Sequence, residues 1–294
     1  MAESNETVAP PTAVKSNSGL GPRVITGVIG AVIAIGLTFS PSDFFFIGFL
    51  ALCLWAASEF AGVVRHLAPT APLRSLWVWI PAAALGGYVL LGYPDVQLST
   101  PALFALAYGL IAVPMLVCLF QTGGEPRDAA IGMGLITLAI PYFAIPPIAA
   151  YWVHKIDPWL VLLVIAIVAI GDTAAYFGGR AFGRHLLAPR VSPKKTWEGS
   201  VAGFTGSLLT TVVWCQVRLG DTPPKLLAVA AVTAVMAQLG DLVESQFKRG
   251  AGVKDSAQVL PGHGGFYDRL DAMLLGAPAF AVGLWWIGPD LIKL

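Results

Sequence analysis

Long apolar segments alternate with short polar ones along most of the chain. A helix that crosses a bilayer needs about 20 mostly apolar residues. Nine segments come close to this requirement, at residues 23–39, 44–64, 76–92, 101–120, 130–152, 158–178, 197–218, 224–245 and 268–288. They are solidly apolar and do not alternate at every second residue, which argues against transmembrane β-strands. The pattern predicts an all-α integral membrane protein, a polytopic bundle of about nine helices, whose fifth helix is broken by Pro141, Pro146 and Pro147.

The basic residues between these segments predict the topology. If the N-terminus is cytoplasmic, fourteen of the 18 Lys and Arg residues lie in cytoplasmic segments. The remaining four, Lys155, Arg218, Lys225 and Lys293, lie on the outer side. This is the positive-inside bias of membrane proteins. Adding or removing one span would move the later basic loops to the wrong side, so the bias supports nine spans with the C-terminus outside.

Composition agrees with a membrane location. The 294 residues are 56% hydrophobic and only 12% charged, about half the charged fraction of soluble domains. A soluble protein cannot bury so much apolar surface, and a disordered chain would contain far less of it. The net charge of +1 gives no indication of nucleic-acid binding, and we expect no nucleic-acid partner.

The chain divides into three parts. Residues 1–21 are polar and are predicted to form a disordered cytoplasmic tail, although a cleaved signal peptide is the competing interpretation. Residues 22–155 carry the first five helices, and residues 156–294 carry helices six to nine together with most of the chemistry. The short chain and bare N-terminus favour the bacterial inner membrane.

Two polar stretches flank the turn between spans six and seven. Asp172 lies inside an apolar helix, where a charge is costly unless it faces a partner, an ion or water. Small neighbours such as Gly171 would let another helix approach closely. Lys194 and Lys195 precede the seventh span, where a helix N-terminus attracts anions. A structural Asp–Arg pair and an ordinary positive-inside anchor are the alternatives.

Two further stretches surround the loop between spans eight and nine. Asp241, Glu244, Ser245 and Lys248 are spaced to line one helix face, as a metal–phosphate site or as a salt-bridge cluster at the helix end. A glycine-rich loop around His263 leads to a second set of charges at the start of span nine, made of Asp268, Arg269 and Asp271. Oxygen ligands of this kind suit Mg²⁺, whereas no Cys or His pair is placed for zinc.

The charged residues of these four stretches are predicted to lie at the same depth in the membrane. Asp172 and Asp241 end spans six and eight, while Lys194, Lys195 and Asp268 begin spans seven and nine. Under the predicted topology, all of them lie at the cytoplasmic surface. Carboxylates with a cationic rim indicate a metal–phosphate site that a nucleotide and a lipid headgroup can reach. Glu59, in the second span, is left open between a functional carboxylate and an interfacial one.

Residues 245–271, SQFKRGAGVKDSAQVLPGHGGFYDRLD, resemble the signature of the phosphatidate cytidylyltransferases, also called CDP-diacylglycerol synthases. The stretches GDTAAYFGGR and SPKKTWEG resemble further motifs of that family, and the resemblance covers roughly residues 165–290. No functional position departs from the pattern. The signature falls on Ser245, Lys248, Arg249, Lys254, Asp255, Pro261, His263, Gly264, Gly265, Asp268, Arg269 and Asp271.

The resemblance implies that CTP and phosphatidate react to give CDP-diacylglycerol and pyrophosphate. It also implies Mg²⁺, with a monovalent cation such as K⁺ possible beside it, and a homodimer in the bilayer. Asp241, Asp268, Lys248 and Arg269 would be catalytic. Asp241 and Asp268 are the first choice as metal ligands, and Asp172, Asp271 and Glu244 are candidates either to bind the metal directly or to support its ligands. The phosphate-binding set would be Ser192, Lys194, Lys195, Ser245, Lys248, Arg249, Lys254, His263, Gly264 and Gly265. His263 either contacts a phosphate or holds the loop.

Three other functions compete with this one. A CTP-dependent lipid kinase would transfer the γ-phosphate, but the complete His-Gly-Gly and Asp-Arg-x-Asp pattern favours nucleotidyl transfer. A CDP-alcohol phosphotransferase would need an Asp-Gly-x-x-Ala-Arg pattern, which the sequence lacks. A transporter of anionic solutes also needs charge within the membrane. However, the polar residues crowd one surface and mark no path across.

Overall fold

The computed structural model describes residues 20–71, 124–259 and 264–288, with isolated helical positions between residues 80 and 120. Seven helices and one hairpin are complete in this part of the chain. The helices are α1 (Leu20–Thr38), α2 (Ser42–Val64), α3 (Pro126–Ile156), α4 (Pro158–Phe182), α5 (Trp197–Arg218), α6 (Pro224–Gly250) and α7 (Tyr267–Ile287). The hairpin strands are β1 (Leu186–Ala188) and β2 (Ser192–Thr196), between α4 and α5.

Six of these helices, α2 to α7, are long and apolar enough to cross a membrane. A shorter apolar stretch, Val24–Thr38, lies in α1. The predicted helical membrane protein is therefore confirmed in outline. Most of the predicted spans 76–92 and 101–120 lies outside the described residues, as do residues 1–19 of the predicted tail. The count of nine and the sides of the two termini stay predictions.

The helix α3 is continuous, so the predicted break was wrong. It runs for 31 residues and contains Pro141, Pro146 and Pro147 in its interior. Proline removes a backbone donor, but in a membrane bundle neighbouring helices and local adjustments satisfy the groups that it frees. Ala144, Pro146 and Pro147 are buried in the bundle, so packing supports this part of the helix.

The turn between α4 and α5 is an antiparallel hairpin, where the sequence predicted only a tight loop. Leu186 pairs with Thr196, and Ala188 pairs with Ser192. The hairpin leads directly into α5, whose N-terminus is capped by the Thr196 hydroxyl accepting the Gly199 N–H at 3.1 Å. The position of Lys194 and Lys195 is thereby tied to the start of a helix.

Small residues let the helices approach closely beside the polar positions. A Cβ on Gly203 of α5 would lie 2.8 Å from the Gly171 carbonyl oxygen of α4, which confirms the close approach expected at Gly171. A Cβ on Gly240 of α6 would lie 2.4 Å from the Asp271 carbonyl oxygen of α7. Both distances are below any real Cβ contact, so these two helix pairs meet at their present spacing only because glycine is there.

A buried aromatic cluster joins four helices. Phe60 of α2 lies in the middle, with ring centroids at 5.5 Å from Phe143 of α3, 5.1 Å from Phe247 of α6 and 5.7 Å from Tyr267 of α7. Edge-to-face and tilted contacts of this kind add to the stability that burial provides. Phe247 and Tyr267 are immediate neighbours of Lys248 and Asp268, so the cluster fixes the helices that carry the polar residues.

Candidate active site

The polar residues of α6 lie on one face, as their spacing predicted. The Ser245 hydroxyl donates to Asp241 Oδ1 at 3.4 Å, and Lys248 Nζ is 2.6 Å from Glu244 Oε1. Glu244 is buried and its side chain is 1% exposed. A carboxylate buried to this degree is costly unless it is paired with a cation, and Lys248 supplies that cation from one turn along the helix.

Asp268, in the first turn of α7, is held from several directions. Its Oδ1 accepts a bond from Lys248 Nζ at 2.7 Å. Its Oδ2 accepts the Gly265 N–H at 2.8 Å and the Ser256 N–H at 3.1 Å, and lies 3.0 Å from the Ser256 hydroxyl oxygen. These contacts fix the carboxylate between α6 and the loop that precedes α7.

The paired glycines of this loop have a physical reason. Gly264 has φ +78°, a conformation that side chains rarely adopt. A Cβ on Gly265 would lie 2.1 Å from Glu59 Oε2 and 2.3 Å from the Ser256 hydroxyl oxygen. Only glycine at these two positions lets the backbone reach the Asp268 carboxylate.

Three carboxylates meet between α6 and α7. One oxygen from each of Asp241, Glu244 and Asp271 lies within 4.8 Å of the other two. Asp172 of α4 is close enough to interact electrostatically with Asp241 and Lys195. Lys195 Nζ is 2.5 Å from Asp241 Oδ2. Residues from α4, α6, α7 and the hairpin thus gather at one end of the bundle.

The hairpin strand β2 brings Ser192, Lys194 and Lys195 to this end. Lys194 is exposed, whereas the Lys195 side chain is 28% exposed and contacts Asp241. The base of the hairpin is held by Glu198, which accepts the Arg184 N–H at 3.1 Å and the His185 N–H at 3.2 Å. Glu198, the acidic residue of the SPKKTWEG motif, therefore fixes the orientation of the hairpin that carries Lys194 and Lys195.

Three further predicted residues, Arg249, Lys254 and Arg269, lie at or near the segment that joins α6 to α7. Arg249 donates to the carbonyl oxygens of Val191 and Val253, each at 3.3 Å, and so bridges the hairpin and the loop after α6. Lys254 and Arg269 are exposed. His263 lies outside the described residues, so its assignment to a phosphate contact or to the loop stays a prediction.

Sequence reasoning left Glu59 open and did not single out Ser256. Glu59 of α2 is 7% exposed. It accepts the Phe266 N–H at 3.1 Å and the Tyr267 N–H at 2.9 Å, and it lies 2.9 Å from the Ser256 hydroxyl. A carboxylate within an apolar span was the available signal, but the sequence offered no means of finding its partners.

The donor set fits a hard divalent cation. Asp241, Glu244 and Asp271 offer oxygen ligands only, which are the ligands that Mg²⁺ prefers. Asp268 is directed to Lys248 and Ser256 and lies outside that group of three. The roles of Asp268, Asp172 and the other predicted ligands stay predictions, while the acidic cluster itself is able to hold a metal.

Comparison with known proteins decides the family. A sequence profile described as the cytidylyltransferase family matches residues 21–286. The chain belongs to this family. The match includes the N-terminal helices, whereas the motifs alone pointed only to the second half.

Curated relatives agree with this assignment. A phosphatidate cytidylyltransferase of Pseudomonas aeruginosa is 34% identical in an alignment of 278 positions that covers 90% of this chain and 97% of the relative. One from Haemophilus influenzae is 41% identical over 42% of this chain and 46% of its own length. One from Mycobacterium bovis is 29% identical over 92% of this chain and 90% of its own length. The family resemblance of the motifs is thereby confirmed.

Proposed function

We propose that this protein transfers a cytidylyl group from CTP to phosphatidate, giving CDP-diacylglycerol and pyrophosphate. The proposal rests on a group of charged side chains at one end of the bundle. This group contains three carboxylates and two lysines: Asp241, Glu244, Asp271, Lys195 and Lys248. Carboxylates that can hold a cation, beside lysines that can bind phosphates, suit a nucleoside triphosphate. The names of the curated relatives support phosphatidate as the acceptor.

The reaction is an in-line displacement at phosphorus. A phosphate oxygen of phosphatidate forms a bond to the α-phosphorus of CTP, and the bond from that phosphorus to the bridging oxygen of pyrophosphate breaks. The nucleophile is already an anion, so no strong general base is needed. Such reactions depend mainly on positioning and on neutralising charge.

We assign Mg²⁺ to the cluster of Asp241, Glu244 and Asp271, with Asp172 and Asp268 close by. When bound, it would neutralise triphosphate charge and stabilise the leaving pyrophosphate. A monovalent cation such as K⁺ is part of the proposal through the family resemblance alone.

The basic side chains hold the two substrates. Lys194, Arg249, Lys254 and Arg269 are exposed, and we assign them to binding triphosphate and phosphatidate oxygens. Lys195 and Lys248 contact carboxylates, and we assign substrate phosphate oxygens to both ammonium groups as further partners. Ser192, Ser245 and Gly264 complete the proposed nucleotide site, because hydroxyl and backbone N–H groups donate to phosphate. Gly265 belongs to the proposed site as well, where its N–H holds Asp268.

We further propose that the site faces the cytoplasm of a bacterial inner membrane and that the chain acts as a homodimer. The concentration of Lys and Arg on one side of the predicted topology supports the orientation. At the membrane surface, CTP can arrive from solution while phosphatidate arrives laterally from the bilayer.

The test uses detergent-solubilised protein with phosphatidate, Mg²⁺ and CTP that is labelled at either the α- or the γ-phosphate. We expect the α-label alone to enter the organic phase with the lipid, because the transferred group carries the α-phosphorus.

Transfer of the γ-label alone would identify a CTP-dependent lipid kinase and overturn the proposal. Transfer of neither label by folded protein would overturn the enzymatic assignment and direct attention to transport of anionic solutes.

A further inference from the structure

We propose that Glu59 of α2 is a positioning residue that orients the Asp268 carboxylate by holding the first turn of α7. This inference rests on the proposed function for its effect on turnover, but its structural part can be tested separately. It assigns a role in the active site to a residue in the N-terminal half of the chain.

Glu59 provides the N-terminal cap of α7 from another helix. The residue before α7, Phe266, has no side-chain capping bond of its own. Instead, Glu59 Oε1 accepts the Phe266 N–H and Oε2 accepts the Tyr267 N–H. The first N–H groups of a helix have no partner within the helix, and a carboxylate there also interacts favourably with the helix dipole. Glu59 therefore fixes where α7 begins.

The same carboxylate is connected to Asp268 through Ser256. The Ser256 hydroxyl oxygen lies 2.9 Å from Glu59 Oε2 and 3.0 Å from Asp268 Oδ2. Gly265 packs against both Glu59 and Ser256, so closely that a Cβ there would overlap both side chains. A movement of Glu59 must therefore shift the loop, Ser256 and the two bonds that the loop donates to Asp268.

Glu59 is held firmly enough to act in this way. It is one residue from Phe60, whose ring is buried against Phe143, Phe247 and Tyr267. Lys248 and Asp268 are immediate sequence neighbours of two of these rings. The packing of Phe60 therefore fixes the backbone of α2 at Glu59 relative to the helices that carry the site. The hydrogen bonds of the Glu59 carboxylate then fix the position of the loop before α7.

The test compares Glu59→Gln, Glu59→Asp and Asp128→Asn in the purified full-length protein. The glutamine amide would offer one acceptor and would turn a donor toward the second N–H, whereas aspartate retains both acceptors on a shorter stem. Asp128 is a matched control: it is also buried, and its carboxylate accepts the Thr70 N–H at 3.0 Å and the Thr70 hydroxyl at 2.9 Å. Within the described residues, no hydrogen bond or ion pair joins it to the candidate site.

Hydrogen exchange measures the structural part without substrates. We expect the amides of Phe266 and Tyr267 to exchange faster in Glu59→Gln, about tenfold or more at the amide that loses its acceptor, because the other amide keeps only a bond to a neutral oxygen. Glu59→Asp should lie between Glu59→Gln and the wild type, and Asp128→Asn should match the wild type. Unchanged exchange in Glu59→Gln, or an equal increase in Asp128→Asn, would overturn the inference.

The Mg²⁺ requirement measures the effect on the site. Asp268 reaches the proposed metal cluster through Lys248, which contacts both Asp268 and Glu244. Loss of a group that orients a metal-site side chain costs about 10–100-fold in affinity or activity. We expect Glu59→Gln to raise the Mg²⁺ concentration that gives half of the full thermal stabilisation, and to lower kcat by a factor in that range. A fall in the amount of active protein, with the Mg²⁺ requirement unchanged, would show a merely structural role. If the wild type lacks cytidylyl transfer, the proposed function fails, and hydrogen exchange still decides the place of Glu59.

Discussion

The replacement Lys248→Met tests how far this one cation stabilises the fold. Lys248 Nζ is 2.6 Å from Glu244 and 2.7 Å from Asp268, and the three side chains are 12%, 1% and 7% exposed. Methionine keeps much of the apolar stem but leaves two buried carboxylates without their common partner. The free energy of unfolding should therefore fall, because ionised carboxylates without a partner are costly to bury.

The size of the effect follows from the two distances. With an effective dielectric constant of about 20, Coulomb's law gives each contact roughly 6 kcal/mol. The cost of removing Lys248 from water offsets much of this attraction. Measured losses on breaking a buried pair are about 3–5 kcal/mol, which is the decrease that we expect. It is a large part of the total stability of about 5–15 kcal/mol that is typical of folded proteins.

The assay is unfolding in mixed micelles with increasing sodium dodecyl sulfate, followed by helical circular dichroism. Lys254→Met is the matched control, since Lys254 is exposed, and surface replacements usually change stability by less than about 0.5 kcal/mol. The double variant Lys248→Met/Glu244→Gln should regain part of the loss, because one buried charge is removed. A decrease below about 1 kcal/mol in Lys248→Met, or a double variant less stable than the single one, would refute the reasoning.

Three further predictions concern the site. Asp268→Asn should lower turnover about 100-fold or more while the protein stays folded, judged by its elution in detergent; near-normal turnover would contradict an essential carboxylate. Gly240→Ala should cost about 1–3 kcal/mol, because its Cβ would lie 2.4 Å from the Asp271 carbonyl oxygen, whereas Gly62→Ala, where no atom lies within 4 Å, should not destabilise. Chelation of divalent ions should abolish cytidylyl transfer, and added Mg²⁺ should restore it; full activity in the chelator would contradict a metal requirement.

The helices were largely predictable from the sequence, because in a membrane their length and apolar character are set by the bilayer. The polar face of α6 was also predictable, because residues three or four positions apart are neighbours on a helix surface. Lys248 and Glu244 are such a pair. The break in α3 was wrong, since proline rules from soluble helices ignore the support of neighbouring helices. The hairpin was missed because its strands have only three and five residues.

The detailed pairing of the site was less predictable. Asp268 and Asp271 are only three residues apart in α7, yet Asp268 contacts Lys248 whereas Asp271 lies with Asp241 and Glu244. The partner of each carboxylate depends on the distance between α6 and α7 at Gly240. The spacing of residues within one helix gives no information about that distance. The role of Glu59 depends on contacts about 200 residues away along the chain, at sequence separations of 197, 207 and 208.

This separation has a consequence for how the protein is made. Helices enter a membrane in the order of synthesis, so α2 is inserted long before Ser256, Phe266 and Tyr267 leave the ribosome. Until then, the carboxylate of Glu59 has to be tolerated in a partly assembled bundle. A charged residue at the centre of a newly inserted helix costs about 2.5–3.5 kcal/mol. Glu59 lies five residues before Val64, the last residue of α2, so it is closer to water and its cost is smaller. Helix α7 therefore relieves this cost when it packs against α2, and the contacts of Glu59 with the candidate site form in the same step of biogenesis.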